Sequence, residues 1–191
     1  NAFALDGATN YLATPTSVAG ATSGGSFTLA MWIRPTKDFN TLPSGLSGES
    51  VFMKKSSGIS FGNKNACAWK IDTDTDRIQF LVFNETGSVV VNSFALNTTW
   101  EAATWYHIAV KFDGAGYTFY LNGLQDGYTA DSYGVGTTTG HNILIGRDNS
   151  PGEPQFFNGC IDDALIFNRA LTAEEVKKLY DETIKQNGEP W

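Results

Sequence analysis

Two late segments of the chain combine aromatic side chains with hydrogen-bonding groups. Residues 129–142 and 148–158 are rich in Gly, Ser, Asn and Thr, and irregular stretches of this kind carry recognition on β folds. The candidate ligand-binding residues lie in or beside these segments, except Trp69, which comes from an earlier one. They are Trp69, Tyr133, His141, Arg147, Asp148, Gln155 and Phe156. An aromatic face stacks on a pyranose ring while polar neighbours bond its hydroxyls, so the set suits a sugar. The alternative is that each is an ordinary loop residue.

Residues near the two ends of the chain offer oxygen ligands to a metal ion. Asp6, Gly7 and Asn10 follow the first apparent strand, and Asp162 lies in the last one. A calcium ion takes about six to eight oxygen ligands. If the first and last strands pair, these groups can converge on one ion. The alternative is a plain turn at Asp6 and an Asp162 side chain that caps a strand end.

The sequence contains no recognisable catalytic motif. Neither of the two histidines accompanies a Ser or Cys nucleophile in a known pattern, and there is no phosphate-binding Gly-rich loop or zinc motif. The run Asp72-Thr73-Asp74-Thr75-Asp76 lacks the glycine and the distal glutamate of a calcium loop. That run is therefore predicted to be a solvated hairpin turn.

The elements that must position these residues are β-strands. Side chains alternate between apolar and polar in residues 26–34, and Asn122-Gly123 is a strong hairpin signal. Short strands separated by turn residues indicate a sandwich. The predicted strands are 2–5, 11–13, 26–34, 51–55, 66–72, 77–84, 89–93, 105–112, 117–121, 124–128, 143–146 and 160–167.

One helix is predicted near the end of the chain. Thr172 is a good N-cap and Glu175 completes a capping box, while Leu171 and Val176 can form a hydrophobic staple. An apolar stripe then follows, so we expect the helix to dock on the sandwich. Residues 186–191 are expected to form a linker or tail.

Composition limits the class of protein. The chain has 191 residues with 13 Lys+Arg against 20 Asp+Glu, a net charge of −7, which disfavours nucleic acid and anionic membranes as partners. No apolar run reaches the ~20 residues that span a bilayer, and residues 1–191 fit one domain. Cys67 and Cys160 allow either a disulfide or two unpaired thiols.

Four segments, in this order, resemble a laminin G-like domain of the concanavalin A-like lectin/glucanase superfamily. They are residues 4–12, 27–35, 105–110 and 159–175, and the hairpin 120–123 also fits. The resemblance implies an all-β fold, a two-sheet antiparallel jelly-roll sandwich with adjacent chain ends, here with one short C-terminal helix. It also implies a structural Ca²⁺ near those ends, with Asp6, Gly7, Asn10 and Asp162 at the matching positions. Cys160 stands where a polar residue is usual, which favours a bridge to Cys67.

The resemblance also guides the functional expectation. Laminarinase-type members carry a Glu-x-Asp-x-x-Glu strand, and no such strand exists here, so the domain is not expected to be an enzyme. We expect a non-catalytic carbohydrate-binding module, secreted or on the cell surface, within a larger modular protein, and its partner is a glycan or polysaccharide. The alternatives are a protein–protein adhesion module, a glycan-cleaving enzyme with an unrecognised site, and a spacer without a ligand.

Overall fold

Each of the predicted strands is present, with ends shifted by at most two residues. The computed structural model describes residues 2–15, 25–39, 51–55, 66–136, 142–148 and 155–187. In chain order the elements are β1 (Phe3–Asp6), β2 (Leu12–Ala13), β3 (Phe27–Pro35), β4 (Val51–Lys55), β5 (Cys67–Asp72), β6 (Arg77–Phe83), β7 (Val89–Phe94), β8 (Tyr106–Phe112), β9 (Gly116–Leu121), β10 (Leu124–Ala130), β11 (Ile143–Ile145), β12 (Asn158–Phe167) and α1 (Ala173–Asn187).

The strands form two six-stranded antiparallel sheets. Sheet one has the order β1-β12-β3-β8-β9-β10, and sheet two has the order β2-β11-β4-β5-β6-β7. The first and last strands pair directly, with Phe3 opposite Ile161 and Asp6 opposite Asn158. This confirms the all-β sandwich and the adjacency of the two ends of the chain.

The core lies between the sheets and follows the two-residue alternation. Phe27, Leu29, Met31 and Ile33 on β3 face the core, as the sequence pattern predicts. Rings from both sheets meet there; Phe27 of sheet one lies 5.8 Å from Phe80 of sheet two, measured between ring centroids. Closely packed aromatic side chains therefore hold the two layers together.

The helix α1 covers the outer face of sheet one. Its capping box forms as predicted: the Thr172 amide donates to Glu175 Oε2 at 2.9 Å, and the Glu175 amide donates to Thr172 Oγ1 at 3.2 Å. Leu171 and Val176 pack with Ala30, Ala109 and Tyr120 of the sheet. The helix continues to Asn187, so residues 186 and 187 are helical and not part of the expected linker or tail. Residues 188–191 lie outside the described ranges.

The same contact explains Trp32, which faces away from the core. Its indole Nε1 donates to Thr183 Oγ1 at 2.9 Å, and its ring stacks on Tyr180 with a centroid distance of 5.6 Å. Trp32 therefore packs beneath the helix. Among the described residues, no helix combines the length and apolar character needed to cross a membrane.

Candidate functional site

A cleft of about 560 Å³ opens at one end of the sandwich. It lies where the β6–β7 and β8–β9 turns meet the segment that follows β10. We call it the Tyr133 cleft. Its lining residues are Gly25, Ser26, Glu85, Phe112, Gly114, Ser132, Tyr133, Gly134, Val135 and Gly136.

Tyr133 presents its ring from a fixed backbone. Its amide donates to the Asp131 carboxylate at 2.8 Å, and its carbonyl accepts from the Tyr117 hydroxyl at 2.7 Å. Tyr117 is a buried core residue, and burial raises the pKa of its hydroxyl, which keeps the proton on the donor. The Tyr133 side chain remains 41% exposed, so an aromatic face is available at the rim of the cleft.

The rest of the cleft combines an apolar floor with hydrogen-bonding groups. The Phe112 ring is buried and stacks on Tyr117 at 4.8 Å between centroids. A Cβ on Gly134 would come within 2.9 Å of the Phe112 ring, so the backbone approaches that ring closely. Glu85, Ser26 and Ser132 supply polar groups around it. Such a surface can stack on a small ring and bond its hydroxyls.

The turn that carries Glu85 is also held in place. Asn84 Oδ1 accepts hydrogen bonds from the Thr86 amide at 3.0 Å and the Ser88 amide at 3.0 Å. The Thr86 hydroxyl donates to the same oxygen at 2.7 Å. Side chains that accept several backbone bonds in a turn fix its conformation. The turn that presents Glu85 is therefore ordered by its own hydrogen bonds.

Four of the predicted ligand-binding residues come together at the opposite end of the sandwich. Arg147 and Phe156 pair in an isolated antiparallel bridge. The Asp148 amide donates to the Gln155 carbonyl at 2.8 Å, and the Gln155 amide donates to Asp148 Oδ1 at 3.0 Å. The structure therefore brings these four residues together.

Only Arg147 of these four presents a partly exposed side chain. Its guanidinium carbon lies 4.7 Å from the centroid of the Tyr11 ring and 5.1 Å from that of the Phe156 ring. Its Nε donates to the Asp148 carbonyl at 3.0 Å. We call Tyr11, Arg147 and Phe156 the Arg147 platform. Stacking of a guanidinium on aromatic faces is favourable and fixes its plane.

Asp148 is a structural residue rather than a ligand contact. Its side chain is 0% exposed and lies 3.6 Å from Lys54 Nζ, itself 1% exposed. Burial lowers the pKa of Lys54, and the charge of Asp148 opposes that shift. Because a buried pair of this kind is costly to break, Asp148 anchors the loop to β4. Gln155 and Phe156 are also buried, which disfavours direct ligand contact for both.

The predicted ligand set is thus divided between two ends of the molecule. Lys55 Nζ, at the end of β4, donates to the Gly136 carbonyl beside the Tyr133 cleft at 3.4 Å. Near the start of β4, the Gly146 amide beside Arg147 donates to the Phe52 carbonyl. Strand β4 therefore separates Tyr133 from Arg147. His141 lies outside the described residues.

Trp69 requires a correction. The sequence placed it among the ligand contacts, but its side chain is 0% exposed and belongs to the core between the sheets. Its ring meets the Phe52 ring edge-on at 6.0 Å between centroids. A buried indole of this kind stabilises the sandwich and cannot contact a surface ligand.

The cysteine bridge also requires a correction. Both Cys67 and Cys160 are free thiols in the structure. Cys67 faces the core, and burial raises the pKa of its thiol to about 11. Ile161 faces the core on β12, so the alternation of the strand turns Cys160 to the outer face. The two side chains therefore point in different directions.

The predicted metal ligands are divided as well. Asp6 Oδ2 accepts from the Thr9 hydroxyl at 2.6 Å, and Oδ1 accepts from the amides of Ala8, Thr9 and Asn10 at 2.7–3.0 Å. The hydroxyl bond first, and then the amide bonds, hold the pKa of Asp6 well below its usual range. Asp6 pairs with Asn158 across the ladder, which places Asp162 four residues further along β12, about 13 Å away at roughly 3.3 Å per residue.

The four oxygen donors therefore do not surround one point. Asp6, Gly7 and Asn10 share one turn, and Asp162 lies beside Trp32 in the middle of sheet one. Within the described ranges, no three His, Cys, Asp or Glu side chains are grouped closely enough to hold a metal ion. Calcium binding itself stays a prediction.

Sequence reasoning missed several residues of both sites. Phe112 was treated only as a strand residue, although its position at the end of β8 beside a Gly turn brings it to the rim of the sandwich. Tyr11 was not linked to Arg147 because the two are far apart in sequence. Lys54 carried a usable signal, since a lysine inside the apolar strand Val51–Lys55 must find a partner.

Comparison with solved structures supports the fold. A carbohydrate-binding module (CBM40) of a Ruminococcus gnavus IT-sialidase, bound to α2,3-sialyllactose, has a TM-score of 0.70 at 13% identity, with 94% of this chain and 95% of that chain covered. Domain 4 of AbnA, a GH43 extracellular arabinanase from Geobacillus stearothermophilus in complex with arabinotriose, has a TM-score of 0.58 at 18% identity, covering 94% and 76%.

A third similar structure is part of a larger chain. The botulinum neurotoxin serotype G binding domain has a TM-score of 0.63 at 20% identity, and this chain spans 37% of its length. No curated protein sequence matches the chain. The family model described as the concanavalin A-like lectin/glucanases superfamily, in its laminin G-like branch, matches residues 6–177. Because that match covers most of the 191 residues, the chain belongs to this family.

Proposed function

We propose that this domain binds carbohydrate and that the Tyr133 cleft receives the sugar. The observation that supports the proposal is an exposed tyrosine ring, held by backbone bonds, beside a cleft of about 560 Å³. Ligand pockets commonly measure about 300–1,000 Å³. Two proteins of similar fold were solved with arabinotriose and with sialyllactose. A sugar ring would stack on Tyr133 while Glu85, Ser26 and Ser132 bond its hydroxyls.

We further propose that the domain is a non-catalytic part of a larger extracellular protein. Retaining glycosidases need two carboxyl groups about 5–5.5 Å apart, and Glu85 is the single acidic residue among those that line the Tyr133 cleft in the described part of the chain. The low charge content of 17% is typical of secreted β proteins. One shallow site gives weak affinity, which several modules on one parent protein would raise.

The test is titration calorimetry with the glycans that a glycan array identifies. We expect Tyr133→Ala to weaken binding about tenfold, or about 1.4 kcal/mol, because it removes the stacking surface, while Tyr133→Phe retains most of the affinity. Tyr128→Ala is the matched control, since Tyr128 is 52% exposed and does not line the cleft. Equal effects of the Tyr133 and Tyr128 changes would contradict the proposed site. An array without any bound glycan would instead favour the adhesion alternative.

A further inference from the structure

We propose that the Arg147 platform is a second ligand site, which binds the carboxylate group of an acidic sugar. It lies at the opposite end of the sandwich from the Tyr133 cleft. It is built from different residues and does not depend on ligand binding in that cleft. Three features of the described residues support it: the fixed plane of the guanidinium, its remaining donors, and the local distribution of charge.

The guanidinium is held in one plane from several directions. The rings of Tyr11 and Phe156 lie 4.7 and 5.1 Å from its carbon atom, and Nε is fixed by the Asp148 carbonyl. The backbone is fixed too, through the bridge to Phe156. A side chain ordered before binding loses little conformational entropy when a ligand arrives. The conformational entropy that the long Arg147 side chain would lose on ligand binding is therefore reduced.

Within the described ranges, the terminal nitrogens of Arg147 donate to no protein group. The bond from Nε to the Asp148 carbonyl is its one hydrogen bond to the described part of the chain. Two parallel N–H groups of a guanidinium match the two oxygens of a carboxylate in distance and direction. The outer edge of the platform therefore has the geometry of a carboxylate receptor.

The charge of Arg147 is not neutralised by its neighbour in sequence. The Asp148 carboxylate is buried against Lys54 and does not pair with Arg147. Among the described residues Arg147 forms no ion pair, so it presents a positive charge there on a chain of net charge −7. Tyr11 is 41% exposed and extends an aromatic surface beside that charge. A charged fork next to an aromatic face fits an acidic pyranose better than a small inorganic anion.

The experiment uses the whole domain and trigalacturonate, with its methyl ester as the neutral analogue. Titration is followed by NMR of the arginine Nε–Hε groups. We expect the Arg147 resonance to shift with the acid but not with the ester. We expect Arg147→Lys to raise Kd at least about tenfold, because lysine cannot offer a planar fork. Arg169→Lys is the matched control. Both terminal nitrogens of Arg169 already donate to the Glu175 carboxylate at 2.8 Å, so this change should alter Kd by less than about twofold.

Several results would overturn the proposal. These are equal binding of acid and ester, an unchanged Kd in Arg147→Lys, or a shift centred on another arginine of the unmodified domain. Equal displacement of trigalacturonate by inorganic sulfate would show a general anion site instead. If Arg147→Lys unfolds, the resonance shifts of the unmodified domain decide the question. Binding of neutral glycan to the Tyr133 cleft, measured separately, should be the same in Arg147→Lys, so the two proposals fail independently.

Discussion

The buried imidazole of His107 makes the stability of this domain depend on pH. His107 lies on the outer face of sheet one beneath α1, with its ring 5.3 Å from Trp32 and 5.9 Å from Tyr180 between centroids. It is 2% exposed, and Nδ1 has no hydrogen-bond partner among the described residues. Burial therefore lowers the pKa of His107 from 6.5 to about 4.

The sign of the effect follows from proton linkage. Between pH 6.5 and pH 4 the unfolded chain takes up a proton on His107 while the folded chain does not, so protons favour unfolding. Above pH 6.5 the full stability is present. The difference between a pKa of 6.5 and one of about 4 corresponds to about 3 kcal/mol of stability, which is lost progressively as the pH falls from about 6.5 to about 4. Below that pH this histidine contributes no further loss.

The assay is urea unfolding at pH values between 7 and 4.5. We expect the free energy of unfolding to fall in the unmodified domain and to stay nearly constant in His107→Phe, which keeps an aromatic ring beneath α1. His141→Phe, at the other of the two histidines, should retain the slope and is the control. A stability that does not change over this range, or a slope that persists in His107→Phe, would refute the reasoning.

Three further predictions concern the turns and the helix. Gly146 has a φ of +79°, and a Cβ there would force the tip of the buried Leu5 side chain to shift, so Gly146→Ala should cost about 1–3 kcal/mol in urea unfolding. Gly114→Ala, with φ +93° and open space around it, should cost less, about 1 kcal/mol. Thr172→Ala removes the N-cap of α1 and should lower the free energy of unfolding by about 1 kcal/mol, and an unchanged value would show that the cap is dispensable. Calcium is tested by melting in millimolar calcium and in EDTA: a rise in Tm that Asp6→Asn abolishes supports a site at the Asp6 turn, and equal Tm values contradict it.

Local sequence patterns predicted the strands, the hairpin turn and the helix because each of them forms through interactions between residues close in sequence. Alternating side chains define a strand, and the turn at Asn122-Gly123 forms because both residues adopt positive φ, 49° and 77°. The capping box between Thr172 and Glu175 involves residues three apart. The same patterns do not reveal what covers a strand face. Strand alternation leaves Trp32 on the face opposite Met31 and Ile33, but only the fold shows that α1 covers it.

Trp69 and Asp148 failed as ligand contacts for different reasons. Trp69 alternates with Lys70, which leaves it on the same strand face as Cys67 and Ile71, so the sequence itself indicated a core position. Asp148 carried no such signal. Its partner Lys54 lies in a strand 94 residues earlier, and the pairing arises only because β11 lies beside β4. Long-range pairs of this kind cannot be read from a single sequence.

The division of the predicted ligand set could have been foreseen. Tyr133 and Arg147 are only 14 residues apart in sequence, and their loops were therefore expected to meet. Strand β11 lies between them, and it was itself predicted. A single strand carries the chain from one end of a sandwich towards the other, so the loops before and after it face opposite ends. Loops separated by one strand should therefore be assigned to different sites, and the two independent binding experiments described above test that separation directly.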